Sequence, residues 1–145
     1  MEERSLQLMK RLYVAIALLI IVAVAALGVT IWASYLEELS ALKHDTNRWA
    51  VIQDTNRDRM SVEPVGDDIW SQLVQLSQNG SRRLVGGVVE KYDNKWGLRF
   101  KPATVTVAEV TAEGLQATIK YISENLDYWL NGWAYVSANV LEVHS

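Results

Sequence analysis

The sequence contains no cysteine, and histidine, proline and phenylalanine are scarce, at two, two and one in 145 residues. The absence of cysteine excludes disulfides, thiolate metal sites and cysteine nucleophiles. A histidine-based metal site would need His44 and His144 to meet across a hundred residues of chain, so we expect two separate, solvated side chains. No basic stripe stands out and the formal net charge is −3, which argues against nucleic-acid binding.

Motifs for catalysis are also missing. No nucleophile elbow is present, and the pair Gly86 and Gly87 does not open a helix, so it is no phosphate loop. The acidic residues Glu124 and Asp127 lie three apart on a predicted helix end, where water solvates them. We therefore predict a protein that is not an enzyme and that carries no metal or cofactor.

A long apolar run, RLYVAIALLIIVAVAALGVTIWASYL, dominates the first third of the chain. Residues 12–36 carry no charge, and as a helix they would extend about 37 Å, against about 30 Å for a bilayer core. Tyr13 lies near one end and Trp32 and Tyr35 near the other, as membrane-interface aromatics do. We predict a single transmembrane helix at 12–36. A cleaved signal peptide has a shorter apolar core and a better cleavage site, and no second apolar segment could enclose a core helix.

The charges that flank the run predict its orientation. Arg4, Lys10 and Arg11 precede it and two glutamates follow it, so the positive-inside rule places residues 1–11 in the cytoplasm and the rest of the chain outside the cell membrane. The triplet that begins at Asn79 has the N-glycosylation acceptor pattern, which agrees with an outer location.

Small side chains recur every four residues along the predicted helix, at Ala26, Thr30 and Ser34. Such a stripe permits close approach of a second helix. It favours packing against other membrane-protein subunits, although small residues are also common in membrane spans in general.

After the helix we predict a helical stalk and a loop at 37–59, and then an α+β domain at 60–145. The periodicities favour strands with two-residue alternation and two amphipathic helices. The strands are predicted at 60–65, 82–92, 96–100, 104–110 and 134–143, and the helices at 67–78 and 113–126. The order β-α-β-β-β-α-β predicts two helices on a mostly antiparallel sheet. The glycine pair within the second strand predicts a bulge or a close backbone approach.

The segment YWLNGW, which follows the second helix, concentrates aromatic side chains at a predicted surface turn. Tyr128, Trp129 and Trp133 there form a candidate contact surface for a protein, a small molecule or a sugar. The alternative is that these rings close the end of the core.

The segment WGLRFKPATVTVAEVTAEGLQATIKYISENLD, residues 96–127, carries a resemblance to a known family. Its motif is a tryptophan that opens a strand, a proline six residues later, an acidic residue, Ala-Thr-Ile-x-Tyr and a closing Leu-Asp. Residues of about 60–143 resemble the small N-terminal domain of the social-amoeba calmodulin-binding protein family, which also occurs in short secreted microbial proteins. The resemblance implies an extracytoplasmic binding domain with no established reaction. The family's Trp-Cys-x-Trp-like segment departs here, because this chain has no cysteine, and no basic amphipathic helix supports calmodulin binding.

Together these observations predict a non-catalytic single-pass membrane protein, an accessory or structural subunit whose outer domain docks on a larger membrane complex. The alternative is an anchored receptor that binds a small molecule or glycan through the Tyr128–Trp133 surface. A third option is a pilin-like filament subunit, which the lack of a glycine processing site before the run weakens.

Overall fold

The longest element of the computed structural model, which describes residues 2–145, is the helix α1, Glu2–Ala41. It contains an 18-residue window of mean hydropathy 3.0, of which none is buried. Among the residues that the structure describes, it is the single helix long and apolar enough to cross a membrane, either as an anchor or as a signal sequence.

The chain divides into two units, of which the first ends at Glu37 and the second is Glu38–Ser145. The second unit is built from six strands and three α-helices after the end of α1. In chain order these are β1 (Trp49–Gln53), β2 (Arg59–Val62), α2 (Asp67–Asn79), β3 (Arg82–Lys91), β4 (Leu98–Phe100), β5 (Thr106–Ala108), α3 (Ile119–Glu124), α4 (Leu126–Trp129) and β6 (Trp133–His144). A short 3-10 turn, Pro102–Thr104, separates β4 from β5.

The strands form one antiparallel sheet in the order β2-β1-β6-β3-β4, and β5 pairs with β3 beside β4. The long strand β6 holds the sheet together, because its first half pairs with β3 and its second half with β1. An N-terminal apolar helix followed by an antiparallel sheet with helices confirms the α+β class. The predicted order of elements along the chain, however, lacks strand β1.

The prediction of a helical stalk and loop at 37–59 missed a strand. The helix ends at Ala41, and Trp49–Gln53 forms a strand between β2 and β6 with three consecutive buried residues. The sparse apolar spacing before Trp49 suggested a helix, but the β-branched run that follows finds its partners in the C-terminal strand. The folded unit therefore begins at Glu38 rather than at residue 60.

The predicted helix at 113–126 begins later than its periodicity suggests. Helix α3 starts at Ile119, with Thr118 as its N-cap, whose side chain accepts a hydrogen bond from the Tyr121 amide at 3.2 Å. The preceding segment instead pairs with β6, where the Tyr135 amide donates to the Leu115 carbonyl at 2.8 Å. Backbone pairing with a remote strand thus overrides the helical pattern of residues 113–118.

The core lies between the inner face of the sheet and the helices. Alternate residues of β3 and β6, such as Val85 and Val136, are fully buried, and α2 packs Leu73 onto this face. The glycine pair marks a close backbone approach, as predicted. A Cβ on Gly86 would overlap the carbonyl oxygen of Ala134, and one on Gly87 would lie 2.8 Å from the Thr104 hydroxyl.

Candidate functional site

The aromatic residues predicted for the membrane interfaces all lie exposed on α1. The exposed fractions are 66% for Tyr13, 62% for Trp32 and 53% for Tyr35. Trp32 lies nineteen positions after Tyr13 in the helix, which places their Cα atoms about 28 Å apart along the axis. That separation is close to the thickness of a bilayer core.

The predicted packing stripe is also exposed on α1. The Thr30 hydroxyl donates a hydrogen bond to the Ala26 carbonyl at 3.0 Å, so its polar group is satisfied within the helix. Ala26, Thr30 and Ser34 therefore present a small and nearly apolar face. This geometry is compatible with a neighbouring helix but identifies none.

The three aromatic residues of the candidate contact surface at YWLNGW do not all lie at the surface. Tyr128 is 79% exposed and Trp133 is 45% exposed, but Trp129 is only 5% exposed and belongs to the core. The prediction of Trp129 as a surface residue is wrong. The reason is that α4 is a single helical turn, so Leu126 and Trp129, three residues apart, face the same inner side.

A cleft of about 460 Å³ lies beside this turn, and we call it the aromatic cleft. Its lining residues are Gly114, Gln116, Tyr121, Asn125, Tyr128 and Trp129. The rings of Tyr121 and Tyr128 stand nearly perpendicular to the Trp129 ring, at interplanar angles of 79° and 86°. Sequence spacing pointed to Tyr128 and Trp129, but Gln116 joins them only because its segment pairs with β6.

One residue that lines the aromatic cleft, Trp129, has a buried donor without a partner. Among the described residues, Trp129 Nε1 is the single buried side-chain nitrogen or oxygen without a hydrogen bond. A buried N–H without an acceptor costs free energy, and such groups are uncommon in folded proteins. The aromatic cleft is therefore lined by two exposed tyrosine rings and by a tryptophan whose buried N–H has no partner.

Trp133 lies outside the aromatic cleft, on the sheet. Its ring stacks with that of Tyr135 at a centroid distance of 6.3 Å and an angle of 15°. Both residues point to the face of β6 opposite the core, since Ala134 and Val136 between and beyond them are fully buried. The structure thus separates two aromatic surfaces that the sequence placed in one.

A second polar site was not predicted, and we call it the Arg99 cluster. The Arg99 guanidinium binds Glu90 through Nε at 2.7 Å, and binds Asp45 and Glu63 through Nη1 at 2.9 and 3.1 Å. Glu63, only 3% exposed, also accepts hydrogen bonds from the backbone amides of Asp45 and Thr46 at 2.6 and 2.8 Å. These bonds hold the loop after α1 against β2 and β4.

Contacts within the Arg99 cluster shift the pKa values of three of its residues. The Tyr92 hydroxyl donates to Asp45 at 2.7 Å, and burial followed by this hydrogen bond raises the pKa of Tyr92 to about 12. The same bond, with the charge of Arg99, holds the pKa of Asp45 below its usual value. Burial alone would lower the pKa of Arg99, but its bond to Glu90 and the neighbouring carboxylates raise it. The Tyr92 hydroxyl is therefore neutral at physiological pH and donates its hydrogen bond to Asp45.

Asp54 is the second buried acidic residue, and its role is local. Its Oδ1 accepts hydrogen bonds from the Asn56 and Asp58 amides at 2.9 and 3.0 Å, and its Oδ2 accepts one from the Ile119 amide at 3.0 Å. The carboxylate thus closes the β1–β2 turn and ties it to the first turn of α3. Burial, and then the charge of Asp54, raises the pKa of the neighbouring Asp58.

The two histidines do approach one another, although not as metal ligands. His44 and His144 stack on Trp49 with ring centroids 3.9 and 4.1 Å from it. His144 Nε2 lies 2.8 Å from Glu142, and His44 Nδ1 lies 2.9 Å from the Leu42 carbonyl. The expectation of separate, solvated histidines is therefore wrong, because pairing of β1 with the C-terminal strand brings both to one tryptophan.

Two further site predictions concern sugars and metals. Asn79 is exposed as the last residue of α2, where its Oδ1 accepts a hydrogen bond from the Ser81 amide at 2.9 Å; whether it carries a glycan stays a prediction. Over residues 2–145, no three or more histidine, aspartate or glutamate side chains gather in a way that could hold a metal ion.

Comparison with known proteins returned no family model, no curated protein and no solved structure that matches this chain. The resemblance to the social-amoeba calmodulin-binding protein family therefore stays a prediction. The functional argument depends on the geometry of the chain itself.

Proposed function

We propose that this protein is a non-catalytic, single-pass membrane protein that acts as an accessory subunit of a larger membrane complex. The observation that carries the proposal is the apolar window of α1, with a mean hydropathy of 3.0 and no burial. A surface of that kind is stable only when lipid or another helix covers it.

The orientation follows from the flanking charges. Arg4, Lys10 and Arg11 keep the N-terminus in the cytoplasm, and Glu38–Ser145 faces outward from the cell membrane. The small-residue stripe supports a helical partner in the bilayer. The Arg99 cluster and Asp54 have no free catalytic group, since their charged atoms are used in holding loops and strands together.

The absence of cysteine makes the topology easy to test. Single substitutions Ser5→Cys and Ser145→Cys would each supply the only thiol for a membrane-impermeant maleimide. We expect labelling of Ser145→Cys in intact cells and of Ser5→Cys only after permeabilisation. Labelling with the reverse pattern would overturn the orientation, and release of the chain into the soluble fraction by alkaline carbonate would overturn the anchor.

Assembly is tested on the same intact chain. After solubilisation in a mild detergent, native mass spectrometry should detect the protein in a stoichiometric complex with other membrane proteins. Thr30→Leu would place a bulky side chain in the small-residue stripe and should reduce that association. The control Val29→Leu changes a position that is exposed but outside the stripe, and should not reduce it. A protein that migrates only as a monomer would contradict the subunit proposal.

A second candidate function is that of an anchored receptor, and the aromatic cleft favours it. Two exposed tyrosines and a buried tryptophan with an unpartnered N–H line a concavity of about 460 Å³, a size within the ~300–1,000 Å³ range of ligand sites. Reproducible binding of a small ligand to the isolated monomer, lost on substitution of Tyr128, would support this candidate over the first.

A further inference from the structure

We propose that the aromatic cleft binds a short, uncharged carbohydrate. This inference rests on the second candidate function and specifies its ligand class. It is argued from the ring faces, the side-chain amides and the local charge of the aromatic cleft.

Exposed ring faces are the first argument. Tyr121 is 54% exposed and Tyr128 is 79% exposed, so both rings are open to solvent along one wall. The face of an aromatic ring carries partial negative charge, and the C–H groups of a pyranose face carry partial positive charge, so the two stack favourably. Tyr128 is held by its edge-to-face contact with the Trp129 ring at 5.2 Å, which fixes the orientation of its face.

Free amides are the second argument. The Gln116 side chain is exposed and makes no hydrogen bond among the described residues. Asn125 donates through Nδ2 to the Tyr121 carbonyl at 2.9 Å, which orients its amide and leaves Oδ1 as an acceptor. A side-chain amide offers donors and acceptors together, as the hydroxyl groups of a sugar require.

The buried donor is the third argument. Trp129 is 95% buried and lines the aromatic cleft, and its Nε1 has no acceptor in the described chain. This nitrogen is itself closed to solvent, so a ligand hydroxyl would accept its hydrogen bond, and remove the desolvation cost, only after the ring shifts towards the aromatic cleft. A purely apolar ligand would leave the donor unpaired.

Local charge decides against acidic sugars. Glu113, Glu124 and Asp127 are exposed on the segments that border the aromatic cleft. Lys120 supplies one counter-charge, since its Nζ lies 3.9 Å from Glu124. The surrounding field is therefore negative, and it repels carboxylated or sulfated saccharides.

The test uses the full-length chain in a detergent without a sugar headgroup. Saturation-transfer difference NMR would measure binding of uncharged tetrasaccharides, namely β-1,4-linked N-acetylglucosamine, β-1,4-linked glucose and α-1,4-linked glucose, against α-1,4-linked galacturonate. We expect at least one uncharged tetrasaccharide to bind and the galacturonate to bind at least about tenfold more weakly. Absence of binding by every uncharged tetrasaccharide at about 10 mM would overturn the inference.

Matched variants locate the site. Tyr128→Ala removes an exposed ring and should weaken binding by about tenfold or more, whereas Tyr128→Phe keeps the ring and should stay within about twofold. Trp133→Ala removes an exposed aromatic ring outside the aromatic cleft and should also stay within about twofold. Equal affinity of Tyr128→Ala and the parent protein would overturn the inference.

The possible failures are distinguishable. Binding of galacturonate alone, abolished by Tyr128→Ala, would overturn the uncharged-sugar inference while it supported the aromatic cleft as a receptor site. Native mass spectrometry of the same preparation reports the subunit proposal separately, because association through α1 does not depend on Tyr128.

Discussion

The Arg99 cluster and the aromatic cleft are opposite exceptions to the usual burial of side chains. A charged group is buried in the first, and aromatic rings are exposed in the second. In the Arg99 cluster a charged group, Glu63, lies 3% exposed and is paired with both Arg99 and backbone amides. In the aromatic cleft two tyrosines lie exposed and a buried N–H has no partner. The comparison teaches that the charges of the Arg99 cluster are paired within the fold, whereas the aromatic cleft leaves ring faces open to solvent and one N–H unpaired.

Among the charged and exposed groups of the two regions, the largest expected effect comes from breaking the Arg99 cluster. Arg99→Met would leave the buried Glu63 carboxylate without its counter-charge, and we expect a loss of about 3 kcal/mol in the free energy of unfolding. Urea denaturation of the full chain in detergent, followed by near-UV circular dichroism, would measure it. Arg99→Lys keeps the charge and should lose less. An unchanged midpoint for Arg99→Met would show that the cluster contributes nothing to stability.

The next largest loss of stability is expected at Gly86, where two strands approach closely. Gly86→Ala would push a Cβ onto the Ala134 carbonyl in the middle of the sheet, and we expect a loss of about 1–3 kcal/mol. The control is Gly66→Ala, where nothing lies within 4 Å of the added atom and only a change of N-cap residue, worth about 1 kcal/mol at most, is involved. If the two variants unfold at the same urea concentration, the close approach is not a constraint.

A smaller effect concerns the pH dependence of the Arg99 cluster. The pKa of Tyr92 rises from 10.0 to about 12 in the folded state, so folding favours the neutral phenol. Its stabilisation is fully present below pH 10 and is lost as pH rises towards about 12. The free energy of unfolding of Tyr92→Phe should therefore fall less over this interval than that of the parent protein. Parallel pH profiles for the two proteins would contradict the proposed hydrogen bond to Asp45.

The smallest effect is expected in the aromatic cleft. Tyr128 is 79% exposed, so Tyr128→Ala should change the free energy of unfolding by no more than about 0.5 kcal/mol. Trp129→Ala, one residue further along the chain, should cost about 3–5 kcal/mol, because that ring is in the core. Comparable losses in the two variants would mean that Tyr128 is structural, and the contrast between the Arg99 cluster and the aromatic cleft would disappear.

Local pattern predicted much of this fold. The amphipathic face of α2 and the alternation of β6 were readable, because each depends on neighbours within one element. The glycine pair predicted a close approach, but not that Ala134 and Thr104 make it. Strand β1 was missed because its five residues, WAVIQ, do not alternate between apolar and polar, and one of its two partner strands, β6, lies about ninety positions away. The same long-range pairing explains why His44, Trp49 and His144 could not be placed together.

The sequence by itself determined the apolar helix, since an uncharged run of that length is decided by composition alone. It also determined the α+β class and the absence of thiol chemistry. Only the tertiary structure decided that Arg99 meets Glu63, that Trp129 turns inward while Tyr128 turns outward, and that Gln116 joins their cleft. The physical reason is that these contacts depend on strand register and on the phase of a single helical turn, which are set by packing across the whole domain.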